Sequence, residues 1–242
     1  MTEYEKMAVQ ELRKWEKTIN KRTTLAGRYA KSMQNKLNAL IPDKVHNVIT
    51  TSIKKMVTAV LSGSEYTTKQ RPLIAESFEE RERLVKEKIK SYQRMAAAEG
   101  AGTGAGGLLL GAADFPLLLG IKMKFLFDAA SLYGFDVKDY RERVYILYLF
   151  QLAYSSDEKR REVYRKVKHW DHTVNDFPSE ETFLHQFDWQ TWQQEYRDTI
   201  DLVKLLQLMP GIGALVGAVA NYRLLQDLGE TAMNGYRLRL FP

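Results

Sequence analysis

Asp114 is the residue of this chain best placed to do chemistry, because it stands alone. From Gly100 to Ile121 the sequence reads GAGTGAGGLLLGAADFPLLLGI, and this aspartate is its only charge. An ionised carboxylate does not rest unpaired in such surroundings. In lipid it would cost about 2.5–3.5 kcal/mol. Three readings are open. In the first, Asp114 caps a helix that restarts at Phe115 or Pro116, with proline near the first helical position, where its fixed φ and missing N–H fit. In the second, it forms a buried pair with a base, Lys122, Lys124, Arg141 or Arg143. In the third, it is a catalytic carboxylate.

His169 and His172, three apart with Asp171 between them, offer two ligands at a helix end. Zinc demands a complete tetrahedral set. His185 and Asp176 lie in the following segment, but no adjacent third ligand completes a site, and solvated surface histidines are the plainer account. The run GAGTGAGG lacks the lysine and hydroxyl residue of a phosphate loop, and a helical pattern rather than a strand precedes it. No G-x-S-x-G elbow occurs. The chain contains no cysteine, which excludes disulfides, thiolate metal sites and cysteine nucleophiles. No catalytic residue, cofactor or metal ligand set is therefore expected.

The glycines have spacing of their own. Gly102 and Gly106, Gly107 and Gly111, and Gly213 and Gly217 are each four apart. On a helix, that spacing makes a small-residue seam that lets another backbone approach closely, in lipid or inside a water-soluble core. The second apolar stretch, LLQLMPGIGALVGAVANY over residues 205–222, carries no charge. It is expected to pack against the first through these glycines. Proline and glycine interrupt both stretches, which argues against two independent membrane spans.

Helical periodicity positions these residues. It predicts helices over 4–20, 24–40, a third opened by Pro42 and ending near Leu61, and 72–98, which Gly100 stops. A helix resumes near Gly106 and continues past Pro116, with a kink or break, to Tyr133, and Gly134 is its left-handed terminator. Asp136 is expected to cap the next helix, with Asp139 in its first turn. Further helices are expected over 157–170, 189–208, 212–226 and 228–239, with 171–188 as a connection. No alternating strand pattern or hairpin turn appears. The expectation is an all-α, single compact domain over 1–242 of about nine helices, with the two Gly-rich segments packed at its centre. Residues 1–61 form basic N-terminal helices, 72–170 the central helices and 189–240 the C-terminal ones. Tyr133, Tyr140, Tyr145, Tyr148, Tyr154, Tyr222 and Tyr236 suit either a membrane-interface belt or a helical core with satisfied hydroxyls.

A hydrophobic content of 45% supplies a core, and the mean hydropathy of −0.38 is not that of a polytopic membrane protein. Charge is unevenly spread. Residues 1–60 hold twelve Lys/Arg against five acids, a surplus of +7 within a total of +6. Lys14, Lys17, Lys21 and Arg22 concentrate it. Such a region suits an anionic membrane face or an acidic protein, or it is simply a solvated helical face. No reading motif or aromatic clustering accompanies it, so nucleic acid is disfavoured. The charged N-terminus lacks an apolar signal segment, which predicts a cytoplasmic location.

Residues 99–156, EGAGTGAGGLLLGAADFPLLLGIKMKFLFDAASLYGFDVKDYRERVYILYLFQLAYSS, resemble the EcsC protein family of bacteria. So do IPDKVHNVITTSIKKMVTAVLSGSEYTT at 41–68 and MPGIGALVGAVANYRLLQDLGETAMNGYRLR at 209–239. The resemblance covers most of the chain and carries no catalytic or ligand residues across. It implies a context beside the ATPase and membrane subunit of an ABC exporter. The resulting expectation is a non-enzymatic accessory of such an exporter, binding at the cytoplasmic membrane face. A hydrolase using Asp114 or the His169/His172 pair, and a lipid- or peptide-binding helical protein, are the alternatives.

Overall fold

The computed structural model describes residues 1–20, 43–63, 72–103, 107–155, 157–175, 177 and 214–241. They form eight helices, and no strand is found among the described residues: α1 Glu3–Asn20, α2 Asp43–Ser62, α3 Phe78–Thr103, α4 Gly107–Leu132, α5 Tyr140–Tyr154, α6 Asp157–Lys168, α7 Trp170–Asn175 and α8 Ala214–Leu240. The segments expected as helices at 24–40 and 189–208 lie outside the described residues.

Local chemistry sets the helix ends. Thr2 and Glu5 form a reciprocal capping box on α1, each backbone N–H donating to the other's side chain, at 2.7 and 3.2 Å. Ser77 accepts from the Glu80 N–H to open α3. At the end of α4, Gly134 takes φ +92° and donates its N–H to the Ser131 carbonyl, while Phe135 donates to Ala130. This is the left-handed stop read from the sequence. Arg81 secures the same turn, donating to the carbonyls of Tyr133 at 3.1 Å and Ile74 at 2.6 Å.

Cross-helix bonds define the bundle. Gln93 donates to Gln226, and Arg237 reaches Glu82, so α3 and α8 run antiparallel. Lys88 meets Asp128 and Tyr133 meets Glu82, which sets α4 antiparallel to α3. Tyr145 donates to the Gly235 carbonyl at 2.7 Å and Tyr154 to that of Leu224 at 2.9 Å, which sets α5 antiparallel to α8. α2 lies on α4, and Arg143 on α5 donates to the Leu61 carbonyl near its end. α1 buries Ala8, Leu12, Trp15 and Ile19 at helical spacing against this core.

Several sequence expectations need correction, beginning with the helix expected from residue 72, which starts at Phe78. α3 does not stop at Gly100 but continues to Thr103, and the chain re-enters helix at Gly107. Asp139, not Asp136, is the N-cap of α5 and accepts from the Arg141 N–H. Asp136 instead closes the preceding turn by accepting from Lys138. Residues 171–175, expected as connection, are helical within α7. The last two expected helices, 212–226 and 228–239, are one continuous helix, α8.

Candidate functional site

α1 presents a basic stripe opposite its buried face. Lys6, Arg13, Lys14 and Lys17 recur at helical spacing, and all four are exposed. Lys6 is neutralised locally by Glu3 at 2.6 Å. Met7, on the same side, leaves 43% of its surface in water. Of the patch expected from the sequence, Lys14 and Lys17 stand on this stripe, while Lys21 and Arg22 lie outside the described residues.

A second basic feature sits between α2 and α4. Thr51, Lys54, Lys55 and Thr58 follow the i, i+3, i+4, i+7 pattern and share the outer face of α2. Beside them opens a groove of about 700 Å³ whose other walls include Met56, Ala59, Pro116 and Leu119. No acidic side chain lines it among the described residues. Pro116 sits inside α4 and has no amide hydrogen to offer the Ala112 carbonyl one turn back. Leu117, the next residue, is 52% exposed.

Asp114 lies within continuous helix, half-buried, so the capping role fails: α4 runs unbroken from Gly107 to Leu132. The proposed partners are placed elsewhere. Arg143 is buried and spends its guanidinium on the carbonyls of Leu61, Val137 and Lys138. Lys124 is exposed. Lys122 is fully buried, and its amine has no hydrogen-bond partner among the described residues. Burial alone pulls that amine down from 10.5 to about 7.

The sequence reading missed the strongest polar constellation. Glu82, fully buried on α3, receives Arg237 through two bonds and the hydroxyls of Tyr4 at 2.8 Å and Tyr133 at 3.2 Å. One layer away, Glu142 accepts from Tyr236 at 2.8 Å and Arg239 at 2.6 Å. Burial pushes the Glu142 carboxyl up even against the attraction of Arg239. The Arg239 guanidinium stacks over Phe135, 3.8 Å from the ring centroid, and also faces Tyr145. Both carboxylates are satisfied by protein donors, and neither lines the α2/α4 groove or the smaller cavity. Their chemistry is that of cross-helix locks. The only signal in the sequence was Glu and Arg at otherwise apolar faces of α3, α5 and α8.

That smaller cavity, of about 260 Å³, opens where α1, α5, α6 and α8 meet. Trp15, Arg160, Asp227 and Glu230 are among its walls. Burial and the neighbouring Asp227 raise the Glu230 carboxyl. His169 and His172 are both exposed, and no group of three or more metal-ligating side chains occurs among the described residues. Gly102 lies in the last turn of α3, Gly107 and Gly111 in the first two turns of α4, and Gly217 in α8. Gly106 and Gly213 are outside the described residues, as are the side-chain surroundings of the other four.

Residues 6–241 match the family model described as the EcsC protein family. The chain is 48% identical over 234 residues to Protein EcsC of Bacillus subtilis (strain 168), covering 97% of this chain and 95% of that one. It is 30% identical over 250 residues to Uncharacterized protein YdbA of the same organism, covering 96% and 90% respectively. No solved structure matches the chain significantly.

Proposed function

The chain belongs to the EcsC protein family, and on that premise we propose that it is a non-enzymatic accessory of an ABC exporter, attached at the cytoplasmic face of the membrane. Among the described residues no helix is long and apolar enough to cross a membrane, and the attachment proposed is one at the surface. The observation that carries the reading is the α1 stripe. Arg13, Lys14 and Lys17 face solvent together while the opposite side of the helix is committed to the core. A basic residue at an anionic lipid surface contributes about 1 kcal/mol, so a few give reversible binding. The same stripe suits an acidic surface on an exporter's ATPase or membrane subunit.

The test is sedimentation with vesicles containing anionic lipid. Binding is expected at 0.1 M salt and should be lost near 1 M, as the Debye length falls from about 10 Å to about 3 Å. Reversing Lys14, Lys17, Lys21 and Arg22 to glutamate should release the protein with its helical content intact. A wild-type protein that ignores such vesicles at low salt would end the membrane reading.

A further inference from the structure

We propose that the groove between α2 and α4 is a binding site for one anionic phospholipid, its phosphate on Lys54 and Lys55 and an acyl chain along Met56, Ala59, Pro116 and Leu119. Its two kinds of wall match the two halves of such a ligand. The rim is cationic and hydroxyl-bearing, with both lysines exposed at one helical face. The floor is apolar, and it borders the half-exposed Leu117. No acid is present among the described lining residues to neutralise the lysines or attract a cationic ligand. A volume of about 700 Å³ falls within the usual range for sites that enclose much of a small ligand. The groove is not the α1 stripe and uses none of its residues. The inference rests on the reading that the protein meets a lipid surface, and it adds that the protein recognises a single lipid rather than only the field above many.

The probe is phosphatidylglycerol carrying a diazirine near the end of one acyl chain, presented to the full chain in detergent micelles. Photolysis is expected to label peptides containing Met56 or Leu119. The double variant Lys54→Gln/Lys55→Gln should bind about thirtyfold more weakly, since two contacts of about 1 kcal/mol are lost. Thr51 is exposed on the rim, so Thr51→Trp should fill the groove without disturbing the core and abolish the labelling while the circular dichroism is unchanged. Labelling that survives Thr51→Trp, or that falls elsewhere, overturns the proposal. So does equal labelling by the phosphatidylcholine analogue. Displacement by glycerol phosphate alone would make the site a free-phosphate site. Displacement by hexaglutamate as effective as by unlabelled lipid would make it a protein-binding surface. Groove labelling with no vesicle sedimentation would defeat surface attachment and leave the groove standing. Sedimentation without groove labelling would do the reverse.

Discussion

Arg237 grips the fully buried carboxylate of Glu82 with both ends of its fork, Nε to Oε1 at 2.6 Å and Nη2 to Oε2 at 2.8 Å. The two residues lie 155 apart in sequence. The bond therefore ties the last helix of the chain to α3, and through Tyr4 and Tyr133 it also gathers α1 and α4. Arg237 further reaches Glu11 on α1 at 2.9 Å.

Breaking one side of this pair should be costly. Arg237→Met leaves Glu82 charged and buried without its main partner, a loss of about 3–5 kcal/mol. Replacing both, as Glu82→Leu/Arg237→Met, should recover much of that loss, because no uncompensated charge remains. Urea denaturation of the two single variants and the double one measures this. A double variant as unstable as the sum of the singles would show that the pair is not coupled as its geometry demands.

Two glycines of α8 make different forecasts. A Cβ at Gly229 would meet three atoms of Ile89, at 2.7, 2.8 and 3.2 Å, and a β-branched side chain has little freedom to turn aside. At Gly235 the close contact is one terminal methyl of Leu149, with the next atom at 3.4 Å, so a turn of that single methyl would relieve it. Gly229→Ala should thus destabilise by about 1–3 kcal/mol. Gly235→Ala should be near neutral, the gain of about 1 kcal/mol in helix propensity offsetting the repacking. Ile89→Ala should lessen the effect of Gly229→Ala. Equal melting temperatures for the two glycine variants would contradict this assignment.

Pro116 offers a check on the continuity of α4. It is exposed within the helix, so alanine there removes no core contact, restores the amide hydrogen for Ala112 and favours helix by up to about 3 kcal/mol. Pro116→Ala should raise the melting temperature. A fall would mean that the chain needs proline at a break there.

The helical class was legible because amphipathic spacing in α1 and α2, and the Asp-Val-Lys-Asp turn before α5, are local signals. Gly134 was read correctly because a left-handed terminator depends only on its own φ and the turn before it. Gly100 was misread for the converse reason. Glycine lowers helix propensity by only about 1 kcal/mol, which does not by itself end a helix. The locks at Glu82 and Glu142 were illegible because their partners lie 155 and 97 residues away. Lys122, one of four bases offered to Asp114 because a lone acid invites a base in the sequence, is instead fully buried with no hydrogen-bond partner among the described residues.

Lys122 supplies the last prediction, a dependence of stability on pH with a fixed sign. Its amine falls from 10.5 to about 7 on folding because burial penalises the charge. The unfolded chain therefore binds the extra proton between those two values, and stability must rise with pH across that window. Above about 10.5 the lysine is neutral in both states and costs nothing electrostatically. Below about 7 it is charged in both, and the whole burial penalty is present. At about 1.4 kcal/mol per pH unit, the drop from 10.5 to about 7 corresponds to about 5 kcal/mol. Methionine has nearly the same length and no charge. Lys122→Met should therefore stabilise the protein by several kcal/mol at pH 6 and by progressively less up to pH 10. Other titrating groups are common to both proteins, so the difference between wild type and variant isolates the lysine. Denaturant unfolding at pH 6, 8 and 10 measures it. A difference that stays flat with pH would mean that Lys122 keeps its charge partnered in the folded protein, and a difference that grows with pH would reverse the assignment altogether.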